Sequence, residues 1–164
     1  MPPRLWNSWP FNHRSVGTYV FGSYQTEANA ALNDWAGNTA VSFPRKSSHT
    51  DISVVGDNYG DTGWSGLASI IEASWDWWCW GYCGTYHGHA RYNTYYDSSS
   101  CCNSSANRQG VFCQEIGHLF GLGHSNDGCM GKGYYNSLNT VSNHNASDMN
   151  AYTAEERTCY YATA

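Results

Sequence analysis

Apolar positions in the segment 24–36 recur with the period of a helix. Tyr24, Ala28, Ala31, Leu32 and Trp35 fall at i, i+4, i+7, i+8 and i+11, one stripe of an amphipathic helix. Ser23 is placed to cap its start and Gly37 to end it. Ala40–Phe43 reads as a strand stopped by Pro44, and Asp51–Val55 as a second strand rich in β-branched residues. Four glycines and two aspartates between positions 56 and 66 predict a loop. Gly88–Tyr96 alternates, which predicts a strand with His89, Arg91, Asn93 and Tyr95 on one face. After a polar loop over 97–105, a second helix is expected over 106–120. Phe112, Ile116, Leu119 and Phe120 form its buried stripe, Ser105 its N-cap, and Gly121 and Gly123 its break. A short final helix begins near Ser147, with Met149 and Tyr152 facing inward. There is no internal repeat and no linker. The order of elements predicts one α+β domain over residues 1–164.

Composition narrows the class. The chain has 164 residues, 41% hydrophobic and 16% aromatic but only 13% charged, which is enough apolar surface for a core and unlike a disordered chain. The formal net charge is −5 and the only lysines are Lys46 and Lys132, so no basic face for nucleic acid or anionic membrane is expected. No apolar run approaches the ~18 residues of a membrane span. Seven cysteines (Cys79, Cys83, Cys101, Cys102, Cys113, Cys129 and Cys159) and a surface of small polar residues point to an oxidising, extracellular setting. Met1-Pro2-Pro3-Arg4 carries no apolar leader, so a removed leader is expected to precede it. Asn103-Ser-Ser and Asn145-Ala-Ser are glycosylation sequons, meaningful in a eukaryotic secretory pathway. The aromatic run 75–86, WDWWCWGYCGTY, reads first as core packing stapled by Cys79 and Cys83. A sugar-stacking platform of Trp75, Trp77, Trp78 or Trp80 is the sharper alternative.

The chemistry concentrates in Gln114-Glu115-Ile116-Gly117-His118-Leu119-Phe120-Gly121-Leu122-Gly123-His124. On a helix, Gln114 and His118 stand one above the other, with Glu115 beside them. Gly121 lets the chain leave the helix through positive φ and swing His124 back toward that face. Two or three donors then surround one point with a carboxylate next to it. Catalytic zinc wants three protein ligands and an open position for water, whose proton a neighbouring Glu can take.

This segment resembles the metzincin metallopeptidases, whose pattern is H-E-x-x-H-x-x-G-x-x-H followed by a Met-turn. The match holds at Glu115, His118, Gly121 and His124, and Met130 looks like the Met-turn methionine. The early helix, the strand 51–55, the Gly-rich stretch 60–68 and the strand containing Asn93 follow the order of the matrixin-like branch. The resemblance implies a twisted mixed sheet, an active-site helix and a C-terminal helix. It also implies a monomeric, secreted zinc endopeptidase in which Glu115 is general base to a zinc-activated water. Peptide or protein substrate would lie along an edge strand near Gly88–Tyr96, and calcium is a weaker expectation at Asp57 and Asp61. If the turn at Met130 passes beneath the metal, Cys113 and Cys129 meet in a disulfide; otherwise they are two buried thiols. Tyr134 and Tyr135 follow that turn and read first as exposed tyrosines.

Position 114 departs from the pattern, with Gln where the family has its first His ligand. A Gln oxygen can reach about as far as an imidazole Nε2 and is also neutral, but it is a poorer zinc donor. Three readings remain open. Gln114, or a water in its place, completes a weaker site with His118 and His124; a remote histidine (His87, His89 or His144) completes it; or the chain is an inactive pseudopeptidase or an aromatic-rich module binding peptide or carbohydrate.

Overall fold

The computed structural model describes residues 14–48, 51–73, 85–131 and 139–154. Its elements are β1 (Thr18–Gly22), α1 (Gln25–Asn38), β2 (Ile52–Asp57), β3 (Gly66–Ala73), β4 (Thr85–Asn93), α2 (Ser105–Leu119) and α3 (Asn143–Ala154), with 3-10 turns at Thr94–Tyr96 and Gly128–Met130. The strands form one mixed sheet in the order β1-β2-β4-β3. β1, β2 and β4 run parallel, and β3 pairs antiparallel with β4. This is the α+β class expected.

Interior position explains the composition of β2. Ile52 to Gly56 are all buried, the near-continuous apolar pattern of a strand covered on both faces. On β4, Ala90 and Tyr92 point into the core, where Tyr92 packs on Phe112 of α2 and edge-on to Tyr24. α1 and α2 share that core through Ala28, Ala31, Leu32, Trp35, Phe112, Ile116 and Leu119. The indole of Trp35 donates to the Cys113 carbonyl at 3.0 Å, tying α1 to the middle of α2.

Several boundaries differ from the sequence expectation, each for a local reason. Tyr24, not Ser23, is the N-cap of α1. It adopts a left-handed φ of 60°, while its hydroxyl donates to Asp97. α1 continues through Gly37 to Asn38, where Thr39 turns extended and bonds the Trp35 carbonyl through both its N–H and its hydroxyl. Ala40–Phe43 contributes only an isolated bridge, Ser15 to Ser42, and is not a strand of the sheet. Ser104, one residue before the expected cap, starts α2 by accepting from the Asn107 N–H at 3.1 Å. α3 begins four residues ahead of Ser147 and buries Met149 as expected. β4 ends at Asn93, so Tyr95 leaves the shared strand face and His87 joins it. His87, His89 and Arg91 form a hydrogen-bonded row there.

The largest correction concerns the edge. β4 lies inside the sheet, between β2 and β3, so the strand expected near 88–96 offers no edge to a substrate. The edges are β1 and β3, and β3, which the sequence did not announce, is the one beside β4. Buried Asn93 fixes the loop leading into β3. Its side chain accepts from the Tyr59 N–H and donates to the Gly60 carbonyl and to Thr62 Oγ1, at 2.9–3.0 Å. Cys101 and Cys102 are joined to each other. The aromatic run at 75–84, Tyr134, Tyr135, Cys159 and the side chain of Tyr152 lie outside the described residues.

Candidate metal centre at the end of α2

α2 presents Gln114, Glu115 and His118, and its C-terminal cap supplies the rest. The Gly121 N–H bonds the His118 carbonyl at 2.9 Å and the Leu122 N–H bonds the Gly117 carbonyl at 3.2 Å. This is a Schellman cap with Gly121 at φ 84°, a conformation that favours glycine. The same cap turns the Leu122 carbonyl onto His118, 2.7 Å from Nδ1. A carbonyl can only accept, so Nδ1 carries the proton and Nε2 keeps its lone pair. Burial pushes the His118 pKa down to about 4, with the neighbouring His124 acting the same way, so the ring is neutral at physiological pH. The chain then returns as expected. The Nε2 atoms of His118 and His124 stand 3.2 Å apart, their ring planes inclined at 65°.

Glu115 points elsewhere on the same helix. Its side chain is 6% exposed, and its carboxylate accepts from the Ala68 backbone N–H of β3. Burial raises its pKa to about 8, and the Ala68 bond only partly offsets this. A Cβ at Gly66 would lie 2.5 Å from Glu115 Oε1 and 2.6 Å from Val111 Cγ1. The carboxylate therefore occupies the space that a side chain at position 66 would fill. Neither Gly66 nor Ala68 was singled out in the sequence for this role. The signal was present only as a glycine next to an apolar run.

A second slot lies beneath the site. A Cβ at Gly117 would meet Met130 Sδ at 2.3 Å and Trp35 Cζ2 at 3.0 Å, so a glycine between Glu115 and His118 lets Met130 pack under the helix. Cys113 and Cys129 form the expected disulfide, tying α2 to the turn that carries Met130. The Ser125 N–H bonds the Met130 carbonyl at 2.7 Å and closes the loop that carries His124. Gln114 lies at this turn, where its Nε2 donates to the Gly131 carbonyl at 3.1 Å. That bond makes Oε1 the end of the amide that could serve a metal.

Do these residues fit zinc? Ligand bonds of 2.0–2.1 Å in tetrahedral geometry put two imidazole nitrogens about 3.3 Å apart, close to the spacing of His118 and His124. The Leu122 carbonyl behind His118 is the kind of outer partner that metal-bound imidazoles take. Among the described residues no group of three or more His, Cys, Asp or Glu could hold a metal. Gln114 offers a neutral amide oxygen at the turn. The remote histidines are engaged elsewhere, His87 with His89 on β4, and His144 with Asp127 and Asp148 at 3.5 Å each. The calcium expectation finds no support. Asp57 accepts from the Asn58 N–H and Asp61 from the Tyr96 hydroxyl, both as turn-forming groups.

Comparison with known proteins bears on the same segment. Residues 92–161, which contain α2, the returning loop, the Met130 turn and α3, match the model of a metallopeptidase family, "Putative peptidase family". No curated protein matches the chain. Among matching solved structures are myroilysin and a hatching enzyme. Myroilysin gives a TM-score of 0.43 at 14% identity over 74% of this chain. High choriolytic enzyme 1, a hatching enzyme zinc-protease from Oryzias latipes (medaka fish), gives 0.37 at 17% identity over 71%. The chain spans about half the length of each, 54% and 49%. No helix among the described residues is long and apolar enough to cross a membrane.

Proposed function

We propose that this protein is a secreted, monomeric, zinc-dependent endopeptidase, with His118, His124 and Gln114 as ligands, Glu115 as general base and Met130 as the floor of the site. The observation that carries the reading is the convergence of two imidazoles at 3.2 Å, with a buried carboxylate one helical turn away against an edge strand. Zinc, when bound, supplies a Lewis acid for the scissile carbonyl, acidification of a water, and positive charge that favours the ionised form of Glu115. Glu115 takes the proton of the attacking water and returns it to the leaving amine. The Ala68 N–H and the slot at Gly66 hold its carboxylate in place during that exchange. An extended peptide or protein substrate pairs with the edge of β3, which brings its backbone beside Glu115. The Leu122 carbonyl keeps His118 in the tautomer whose Nε2 can ligate.

Cleavage of a quenched peptide and zinc content after dialysis test this together. The wild type is expected to retain about one zinc per chain and to cleave. Glu115→Ala retains zinc and loses cleavage by ~10²–10⁴-fold, the range for a general base. Equal cleavage by the two proteins refutes the assignment. The non-catalytic alternative draws on one observation, the bond from Gln114 to Gly131, which gives that side chain a structural role. A wild type free of zinc and of activity would favour it.

A further inference from the structure

Both sequons of the chain lie on described elements, and the structure separates them. Asn145 sits inside α3 at 2% exposure, and its Nδ2, the atom a glycan would occupy, donates to Ser125 Oγ at 3.2 Å. Its Oδ1 would lie 2.2 Å from a Cβ at Gly128, so no space exists around this amide. Asn103 is the opposite case. It is exposed, in the bend before α2, and the third sequon residue, Ser105, is exposed as well. Its Oδ1 accepts from Asn107 Nδ2 at 3.2 Å. The amide is therefore oriented from its oxygen side, and a substituted Nδ2 keeps that bond, because the oxygen remains an acceptor after substitution. The turn itself is anchored below by the buried Cys101 and Cys102, by Asn107 Nδ2 donating to the Ser100 carbonyl, and by Arg108 bonding the Cys102 carbonyl.

We propose that Asn103 is an N-glycan attachment site and that Asn145, despite its sequon, is not. The co-substrate is a lipid-diphosphate-linked oligosaccharide. Asn103 Nδ2 bonds to the anomeric carbon of the first sugar, the bond from that carbon to the phosphate oxygen breaks, Nδ2 loses one proton, and the lipid diphosphate leaves. Asn103 lies before the first turn of α2, and His118 is fifteen residues on. At 1.5 Å per residue the glycan stands about 20 Å along the helix from the candidate metal centre. The inference does not depend on the peptidase reading.

The test is to secrete the full chain from a eukaryotic host, release N-glycans enzymatically in ¹⁸O water, and map the labelled asparagine by mass spectrometry. Secreted and retained fractions are both analysed, so a secretion defect does not hide the result. One glycan per chain is expected, on Asn103. Asn103→Gln and Ser105→Ala are each expected to abolish it, and Ser147→Ala, which destroys the second sequon without touching buried Asn145, to leave it unchanged. An unmodified Asn103 peptide, or a glycan on Asn145, overturns the assignment.

Discussion

Replacing Glu115 by Gln should stabilise the metal-free protein, and only at the alkaline end. At pH 4 the side chains are near-isosteric and both uncharged. Between the ordinary glutamate pKa of 4.5 and the folded-state value of about 8, the unfolded chain has released the Glu115 proton and the folded chain still holds it. The native state binds more protons there, so the stability of the wild type falls as pH rises. The slope approaches 1.36 kcal/mol per pH unit across that window, an accumulated cost on the order of 5 kcal/mol above pH 8. Gln pays none of it, because it carries no charge to bury. Its oxygen still accepts from the Ala68 N–H. At ~2–4 °C per kcal/mol for a chain of this size, the gain is ~10–20 °C in Tm. The assay is thermal unfolding of both proteins in chelator from pH 4 to 9, read as the difference between them, in which all other titrations cancel. The two curves should coincide at pH 4 and diverge through pH 5–8. Parallel curves over the whole range would mean that the carboxylate reaches water, and the slot against β3 would be wrong.

Gly66→Ala places a methyl against the Glu115 carboxylate and Val111, and overpacking of this kind costs ~1–3 kcal/mol. Chemical denaturation should show most of that loss disappearing when Glu115→Ala is added, and a loss unchanged in the double variant would uncouple the two positions. Gln114→His exchanges an amide for an imidazole and should tighten zinc by at least ~10-fold, read by competition with a chelator. No change in retention would place position 114 away from the metal. Removing the Cys113–Cys129 bridge by serine substitution at both ends opens a loop of 16 residues, worth ~3 kcal/mol. Calorimetry should register a fall of ~6–12 °C in Tm, and an unchanged Tm would mean that the bridge constrains nothing in the unfolded chain.

What the sequence disclosed follows from how local each signal was. The helix stripes of α1 and α2, the break at Gly121 and the return of His124 were legible because each rests on spacing within about three helical turns, and the Cys113–Cys129 pair because the resemblance implies a turn at Met130 beneath the metal. β3 was not legible, because Gly66-Leu67-Ala68-Ser69-Ile70-Ile71 neither alternates cleanly nor shows a helical stripe. Strand order was equally hidden. Whether β4 is an edge depends on where a later pairing closes, and β3 closes it. The N-cap at Tyr24 escaped for a third reason. Its left-handed backbone is held by the core through Asp97 and Tyr92, against the local preference of a tyrosine.

The first two of these failures, β3 and the strand order, fall on one structural relation, and it is the one the proposed chemistry uses. His118 and His124 come from a single local cap, so their meeting is a property of the segment itself. The environment of Glu115 is a property of the sheet. Asn93 at the end of β4 fixes the loop, the loop delivers Gly66 and Ala68, and these receive the carboxylate. In the proposed site a change at position 114 should therefore perturb metal retention without touching Glu115, whereas a change at Asn93 or Gly66 should perturb Glu115 without touching His118 and His124. Substitution of Asn93 should thus lower turnover while zinc content stays unchanged, and a parallel loss of both would mean that the two halves of the site are one mechanical unit.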